Sequence, residues 1–258
     1  MIAIKSKEEI KVMREGGKIL AGILEKLREN VKPGKSAQEL DKLARELVFS
    51  SGARPSFLGY APNGRGEGYP AALCVSVNDE IVHGIPEKNK IIFEGDLVKL
   101  DMGVEHKKMH TDATVMVGVG KIPKVAEKIM KVTEECLYLG IGAIAPGKKI
   151  SDYARAVESH AQICGFSVVR DLVGHGVGYS VHEPPQVLNY FHKKLGNIVL
   201  KVGMTLALEP MINEGGYEIY LADDGWTYKT LDGKLNGHWE HTVAVTKDGC
   251  EVLTEIRN

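Results

Sequence analysis

The stretch "EGDLVKLDMGV", Glu94 to Val104, has a partner further along the chain in "KVGMTLALEPMI", Lys201 to Ile212. In the first, Gly95 is followed six residues later by Asp101. In the second, Gly203 is followed six residues later by Glu209. Each carboxylate closes an apolar run with strand character. Two such runs at matching places raise the question of whether the chain repeats its own plan.

Working outward, the elements before each run also match. Ser6-Lys7-Glu8-Glu9 fits a capping box, and Ile10, Met13, Leu20, Ile23, Leu24 and Leu27 follow at helical spacing. Pro33-Gly34 breaks that helix. A second capping box, Ser36 to Glu39, opens another through Leu40, Leu43 and Leu47, with Gly52 as its stop. From Pro123 a third helix runs through Ala126, Ile129, Val132, Cys136 and Leu139 and breaks at Pro146-Gly147. A fourth runs from about Ser151 towards Cys164 and stops at Gly165. Pro33-Gly34-Lys35 and Pro146-Gly147-Lys148 lie 113 positions apart, and so do Gly52 and Gly165. Later, "HTDATVMVGV" opens a strand at Asp112 and "WEHTVAVT" opens one at Glu240. Each half also carries a His-Gly pair, His83-Gly84 and His175-Gly176, at a different spacing. The expectation is an internal duplication: two similar α+β halves, about 1–120 and 121–258, packed as one domain over 1–258.

Composition narrows the function classes. The 258 residues are 43% hydrophobic and 26% charged, ordinary for a globular protein with a sizeable core. A formal net charge of −1 provides no global basic field for nucleic acid. No apolar run reaches membrane-spanning length, and "MIAIKSKEE" turns charged too early for a signal peptide. Cys74, Cys136, Cys164 and Cys250 are scattered without a CxxC pair and read as reduced thiols of a cytoplasmic protein.

Asp101, Asp112, Glu209 and Glu240 all lie in or beside apolar strands. A single carboxylate in such a place is often a turn residue, and Met102-Gly103 could make a turn after Asp101. Four at related places differ. If the halves face each other they converge, and buried like charges need cations. "GHGVGYSVHEPP", Gly174 to Pro185, adds His175 and His182 in a glycine-rich setting. With His175 as a nitrogen donor the set is too rich in oxygen for a structural zinc site, and it suits Mn, Fe, Co or Zn in a catalytic role. Five ligands fit two ions sharing carboxylates better than one, and such a pair activates water and polarises a carbonyl. The expected reaction is metal-assisted hydrolysis.

Taken together, "YPAALCVSVNDEIVHGIP", "VKLDMGV", "HTDATVMV", "GHGVGYSVHEPPQV", "LALEPMI" and "DGWTYKTLDGKLNGHWEHTVAVT" resemble the type I methionine aminopeptidases over about Tyr69 to Thr246. That family has the pita-bread fold, shared with creatinase and Xaa-Pro peptidases: pseudo-symmetric halves with a central antiparallel sheet flanked by helices. The resemblance implies removal of N-terminal methionine from nascent chains when the second residue is small, with two divalent metal ions. It implies that Asp101 binds one ion, that Asp112 and Glu240 bridge, and that His175 and Glu209 complete the second ion. Glu209 also matches the residue that shuttles the proton of the attacking water. His83 matches a contact to substrate near the scissile amide, and His182 a donor to the developing oxyanion. Tyr69, Cys74 and Trp226 match the methionine pocket, where sulfur and aromatic contacts suit a thioether. Val181, Asn63 and Gly66 depart from common family residues at the pocket rim.

His241, next to Glu240, is expected to be structural, because adjacent strand residues face opposite ways. A monomer with transient ribosome contact is also implied, with no membrane or specific nucleic-acid partner. Since Ile2 is bulky, Met1 should be retained. The alternatives are a Xaa-Pro peptidase of the same fold, whose members usually carry a further N-terminal domain, and a non-catalytic binding module, whose members lose metal ligands.

Overall fold

The structure, a computed structural model, describes residues 2–62, 67–193 and 197–255; Met1, Asn63 and Gly66 lie outside them. Helix α1 spans Lys7–Asn30 and α2 spans Ala37–Ser50, each opened by its expected capping box. At Ser6 the hydroxyl accepts from the Glu9 amide at 3.2 Å, and the Glu9 carboxylate accepts from the Ser6 amide at 2.7 Å. Helices α3, Lys124–Gly142, and α4, Ile150–Ile163, repeat the plan.

The helices pack on an antiparallel nine-stranded sheet. Its main path runs Arg54–Pro55, Leu97–His106, Met109–Gly118, Glu240–Thr246, Thr205–Leu208, Gly174–Gly176 and Glu183–Val187. Cys74–Val77 adds to Leu97–His106, and Gly249–Val252 adds to Glu240–Thr246. The two longest apolar clusters divide by half. One joins Leu20, Leu24 and Leu27 of α1 and Leu40 of α2 to Val98, Leu100 and Val104. The other joins Ile129, Val132 and Cys136 of α3 and Tyr153 and Val157 of α4 to Leu206, Leu208 and Val243.

The two helix pairs are alike in individual hydrogen bonds as well. The Gly34 amide donates to Ile92 O at 2.8 Å, and the Gly147 amide donates to Leu200 O at 2.9 Å. Gly34 and Gly147 have φ of 86° and 84°, and Gly95 and Gly203 have 93° and 92°. These left-handed turns favour glycine in both halves, which is why the glycines recur in step.

Three local expectations change. The turn after Asp101 is absent: the strand Leu97–His106 runs through it, and Gly103 lets Ser56 and Phe57 approach the strand closely. The next strand opens at Met109, three residues before Asp112, because Lys107 and Lys108 form the hairpin turn with φ of 49° and 67°. Two successive positive φ values match a type I′ turn, a geometry usually signalled by Asn-Gly rather than Lys-Lys. Finally, the two His-Gly pairs are not equivalent. His175 pairs with Ala207, whereas its counterpart opposite Lys99 in the first half is Ser76; His83 lies beyond the following strand, Glu80–Val82.

Candidate active site

Strand register builds the floor of the site. Asp101 faces Thr114 from one side, and Glu240 faces Thr114 from the other, so three neighbouring strands place these side chains in one row. Asp112 precedes Thr114 by two residues and therefore shares its face. Glu209 follows directly on Thr205–Leu208, and His175 lies on the neighbouring strand Gly174–Gly176. His175 Nε2 is 3.3 Å from Glu209 Oε1 and 4.0 Å from Asp112 Oδ2. Its Nδ1 lies 2.9 Å from the Gly176 carbonyl, which only accepts. The proton is thus on Nδ1, and the Nε2 lone pair points into the site.

Donor atoms of Asp101, Asp112 and Glu240 lie within 4.8 Å of one another, as do those of His175, Glu209 and Glu240. Asp112, His175 and His182 form a third such group. Asp101 Oδ1, Asp112 Oδ1 and Glu240 Oε1 are buried without a hydrogen-bond partner. Unpaired carboxylate oxygens at such depth are expensive. Burial pushes Asp101 up to about 7. It also raises Asp112, Glu209 and Glu240 well above the usual carboxylate range, and neighbouring carboxylates add to each shift. Burial holds His175 down at about 3 and His83 and His182 at about 4, so these imidazoles are neutral. Hard oxygens with one neutral nitrogen, missing positive partners, fit divalent cations.

Above the carboxylates lies a cavity of about 250 Å³. All ten side chains singled out in the sequence line it: His83, Asp101, Asp112, His175, His182, Glu209, Glu240, Tyr69, Cys74 and Trp226. Tyr69 and Trp226 meet edge to face at 5.2 Å, and the Tyr69 hydroxyl donates to Gly84 O at 3.0 Å. Burial raises the Cys74 thiol well above its ordinary value, which keeps it in the protonated, unreactive form. Val181 is buried in the same wall. His83 has φ of 58°, a strained backbone for a non-glycine residue that faces the cavity. His241 points away from the cavity and bonds Thr254 Oγ1 at 3.0 Å, as the strand alternation requires.

Several residues in or behind the cavity wall were not legible as site residues. Phe57 and Tyr60 complete the apolar wall, and the Tyr60 ring lies 4.8 Å from that of His182. The Thr114 hydroxyl donates to Glu240 Oε2 at 3.0 Å. His238 Nε2 lies 3.8 Å from Glu209 Oε2, and it stands two residues before Glu240, a period-2 signal that could have exposed it. Lys99 is fully buried and donates to the carbonyls of Asn78, at 2.8 Å, and Asn236, at 3.2 Å, tying together the segments that lead to His83 and to Glu240.

The model of metallopeptidase family M24 matches residues 11–247. The chain belongs to metallopeptidase family M24. Use of divalent metal follows from that membership and from the carboxylate and imidazole cluster. The methionine aminopeptidase of Clostridium perfringens is 43% identical over 257 residues, covering 100% of both chains. That of Escherichia coli K12 is 41% identical over 254 residues, 98% of this chain and 94% of the relative. The crystal structure of methionine aminopeptidase from Thermotoga maritima superposes with a TM-score of 0.94 at 40% identity, covering 99% of this chain and 100% of that one. A prolidase from Pyrococcus furiosus shares the fold, with a TM-score of 0.79 at 24% identity over 99% of this M24 chain and 66% of its own. Among the described residues no helix is long and apolar enough to cross a membrane.

Proposed function

We propose that this M24 peptidase removes the N-terminal methionine of polypeptides whose second residue is small, using two divalent transition-metal ions. The observation that carries the reading is the joining of an oxygen-rich ligand cluster to an apolar cavity with sulfur and aromatic walls. Its setting is a chain similar from end to end to methionine aminopeptidases. When bound, the ions act as Lewis acids on the scissile carbonyl and on the attacking water.

The protein's part is positional and electrostatic. Asp101 would hold one ion, His175 and Glu209 the other, and Asp112 and Glu240 both. Glu209, at the edge of the cluster, would take the proton of the attacking water and deliver it to the leaving amine. Neutral His182 would donate to the carbonyl oxygen as charge develops there, and neutral His83 would contact the scissile amide. Tyr69, Cys74 and Trp226 would hold the methionine side chain and exclude water. The natural substrates would be nascent chains met in the cytoplasm, by a monomer with transient ribosome contact.

A Xaa-Pro peptidase is the weaker reading, since the prolidase is similar at the level of the fold alone. A non-catalytic module is disfavoured because Asp101, Asp112, His175, Glu209 and Glu240 are all present and all line the cavity. The test is release of methionine from Met-Ala-Ser, Met-Gly-Ser, Met-Leu-Ser and Met-Lys-Ser, beside cleavage of Ala-Pro-Ser, after chelation and return of Mn or Co. The expected outcome is cleavage of the first two, poor cleavage of the next two and none of Ala-Pro-Ser. Equal rates on all four methionine peptides, or preference for Ala-Pro-Ser, would overturn the proposal.

A further inference from the structure

The loop 177–182 leads from the strand carrying His175 to Glu183–Val187, and His182 is its last residue. Ring contacts hold the imidazole, 4.3 Å from that of His175 and 4.8 Å from that of Tyr60. Such contacts set a separation and leave the direction of a donor nitrogen to the backbone beneath it.

The start of that backbone is held by Thr205, which bonds both the amide and the carbonyl of Val177, and by the His110 amide, which donates to Gly178 O; from Tyr179 onward the N-terminal segment takes over. The Tyr179 amide donates to Glu183 Oε2 at 3.2 Å. The other carboxylate oxygen, Oε1, is paired with Lys5 Nζ, whose side chain is 1% exposed. The Lys5 ammonium also lies 4.9 Å from the centre of the Tyr179 ring, and its stem packs where a side chain at Gly178 would stand. The Tyr179 hydroxyl donates to Glu9 Oε1 at 2.8 Å, in the first turn of α1. Lys5 is itself anchored, its amide donating to Gly203 O at 2.8 Å. A buried ion pair is a poor way to gain stability, because desolvation offsets the attraction. Its directionality is what an apolar contact lacks: it aims the Glu183 carboxylate at the Tyr179 amide.

We propose that Lys5 is a positioning residue for His182, acting through the Lys5–Glu183–Tyr179 contacts that shape loop 177–182. The inference rests on the reading of His182 as a donor to the reacting carbonyl. Lys5 meets Glu183, Tyr179, Gly178 and Gly203, none of which is given a part in the chemistry, so its influence on His182 passes through the loop.

Three measurements test this on the full chain loaded with Mn: amide hydrogen exchange, steady-state kinetics on Met-Ala-Ser and elemental analysis. In Lys5→Met, exchange in peptides spanning 177–183 should accelerate by about tenfold, while peptides spanning 97–106 hold. The kcat should fall about tenfold with KM and bound metal kept, short of the roughly hundredfold that a full ångström of misplacement can cost. In a His182→Ala background the same substitution should cost less than about twofold, and Lys5→Arg should recover most of the rate. Glu183→Gln removes the opposite charge and gives the same exchange and kinetic pattern, which covers a Lys5→Met that does not fold. Unchanged exchange in 177–183, or a full Lys5→Met loss in the His182→Ala background, would overturn the proposal. A wild-type protein that releases no methionine would instead sink the activity reading, and the exchange result would still decide whether Lys5 shapes the loop.

Discussion

The two halves share a scaffold and differ in what they present to the cavity. Each has two helices, a Pro-Gly-Lys turn and a strand segment with a carboxylate six residues after a left-handed glycine, within the strand at Asp101 and just past its end at Glu209. The α1–α2 half lines the cavity with Phe57, Tyr69 and Cys74 beside Asp101. The α3–α4 half lines it with His175 and His182 beside Glu209. Where the second half has His175 opposite Ala207, the first has Ser76 opposite Lys99. The repeated element plan thus sets two carboxylates at matching places, and the different residues around them make the site lopsided. On the proposed reading, the proton shuttle Glu209 and the oxyanion donor His182 both come from the second half, while the first half gives most of the methionine pocket, completed by Trp226 of the second. The shared element is the seam, where Met109–Gly118 pairs with Glu240–Thr246 and contributes Asp112 and Glu240.

The seam is where the comparison is easiest to break. Asp112→Asn and Glu240→Gln should each cut activity roughly a thousandfold, on the order of 4 kcal/mol of lost charge stabilisation. Elemental analysis should show metal lost in proteins that still melt cooperatively. Activity retained without metal would refute a dinuclear centre.

Within the second half, the two histidines should part company. His175→Ala should lose metal, while His182→Ala should keep it and lose on the order of a hundredfold in kcat, about 3 kcal/mol. Equal metal loss in both would place His182 among the ligands.

Acidity provides a test at the next scale down. Ligand carboxylates must ionise to bind metal, and Asp101 sits at about 7 in the metal-free protein. The histidines at about 3 to 4 are already neutral, so they add no pH dependence above 5. Metal affinity should therefore rise with pH from 6 to 8, by about tenfold per unit for each proton released. Calorimetric titration at three pH values checks this, and a flat profile would deny the buried carboxylates their role. Thr114→Val leaves Glu240 Oε2 without its donor and should weaken metal binding by about tenfold.

The smallest effect concerns the matched glycines. Gly95→Ala places a side chain in nearly open space at φ 93° and should cost about 1–2 kcal/mol of stability. Gly203→Ala has the same φ penalty and also meets Ile4 and the Lys5 carbonyl at 2.7 Å, so it should cost more. Equal melting temperatures for the two would mean that the N-terminal segment does not press on the second half.

Local chemistry made much of this legible in advance. Capping boxes at Ser6 and Ser36, the Pro-Gly-Lys turns and the glycine stops are short-range signals, and the four helix starts follow from them closely, while α1 and α3 end at Asn30 and Gly142, ahead of the Pro-Gly breaks. The four strand carboxylates were visible because a charge in an apolar run is anomalous wherever the run ends up. What the sequence alone determined was therefore the element plan, its repetition and the ligand types. Only the tertiary structure decided the register that sets Asp101, Thr114 and Glu240 in one row. The same holds for Lys99 bridging Asn78 and Asn236, and for Lys5 reaching Glu183 across the fold. Hydrogen bonds and ion pairs between residues more than a hundred positions apart depend on which strands become neighbours. That choice belongs to the packed sheet as a whole, and no local propensity records it.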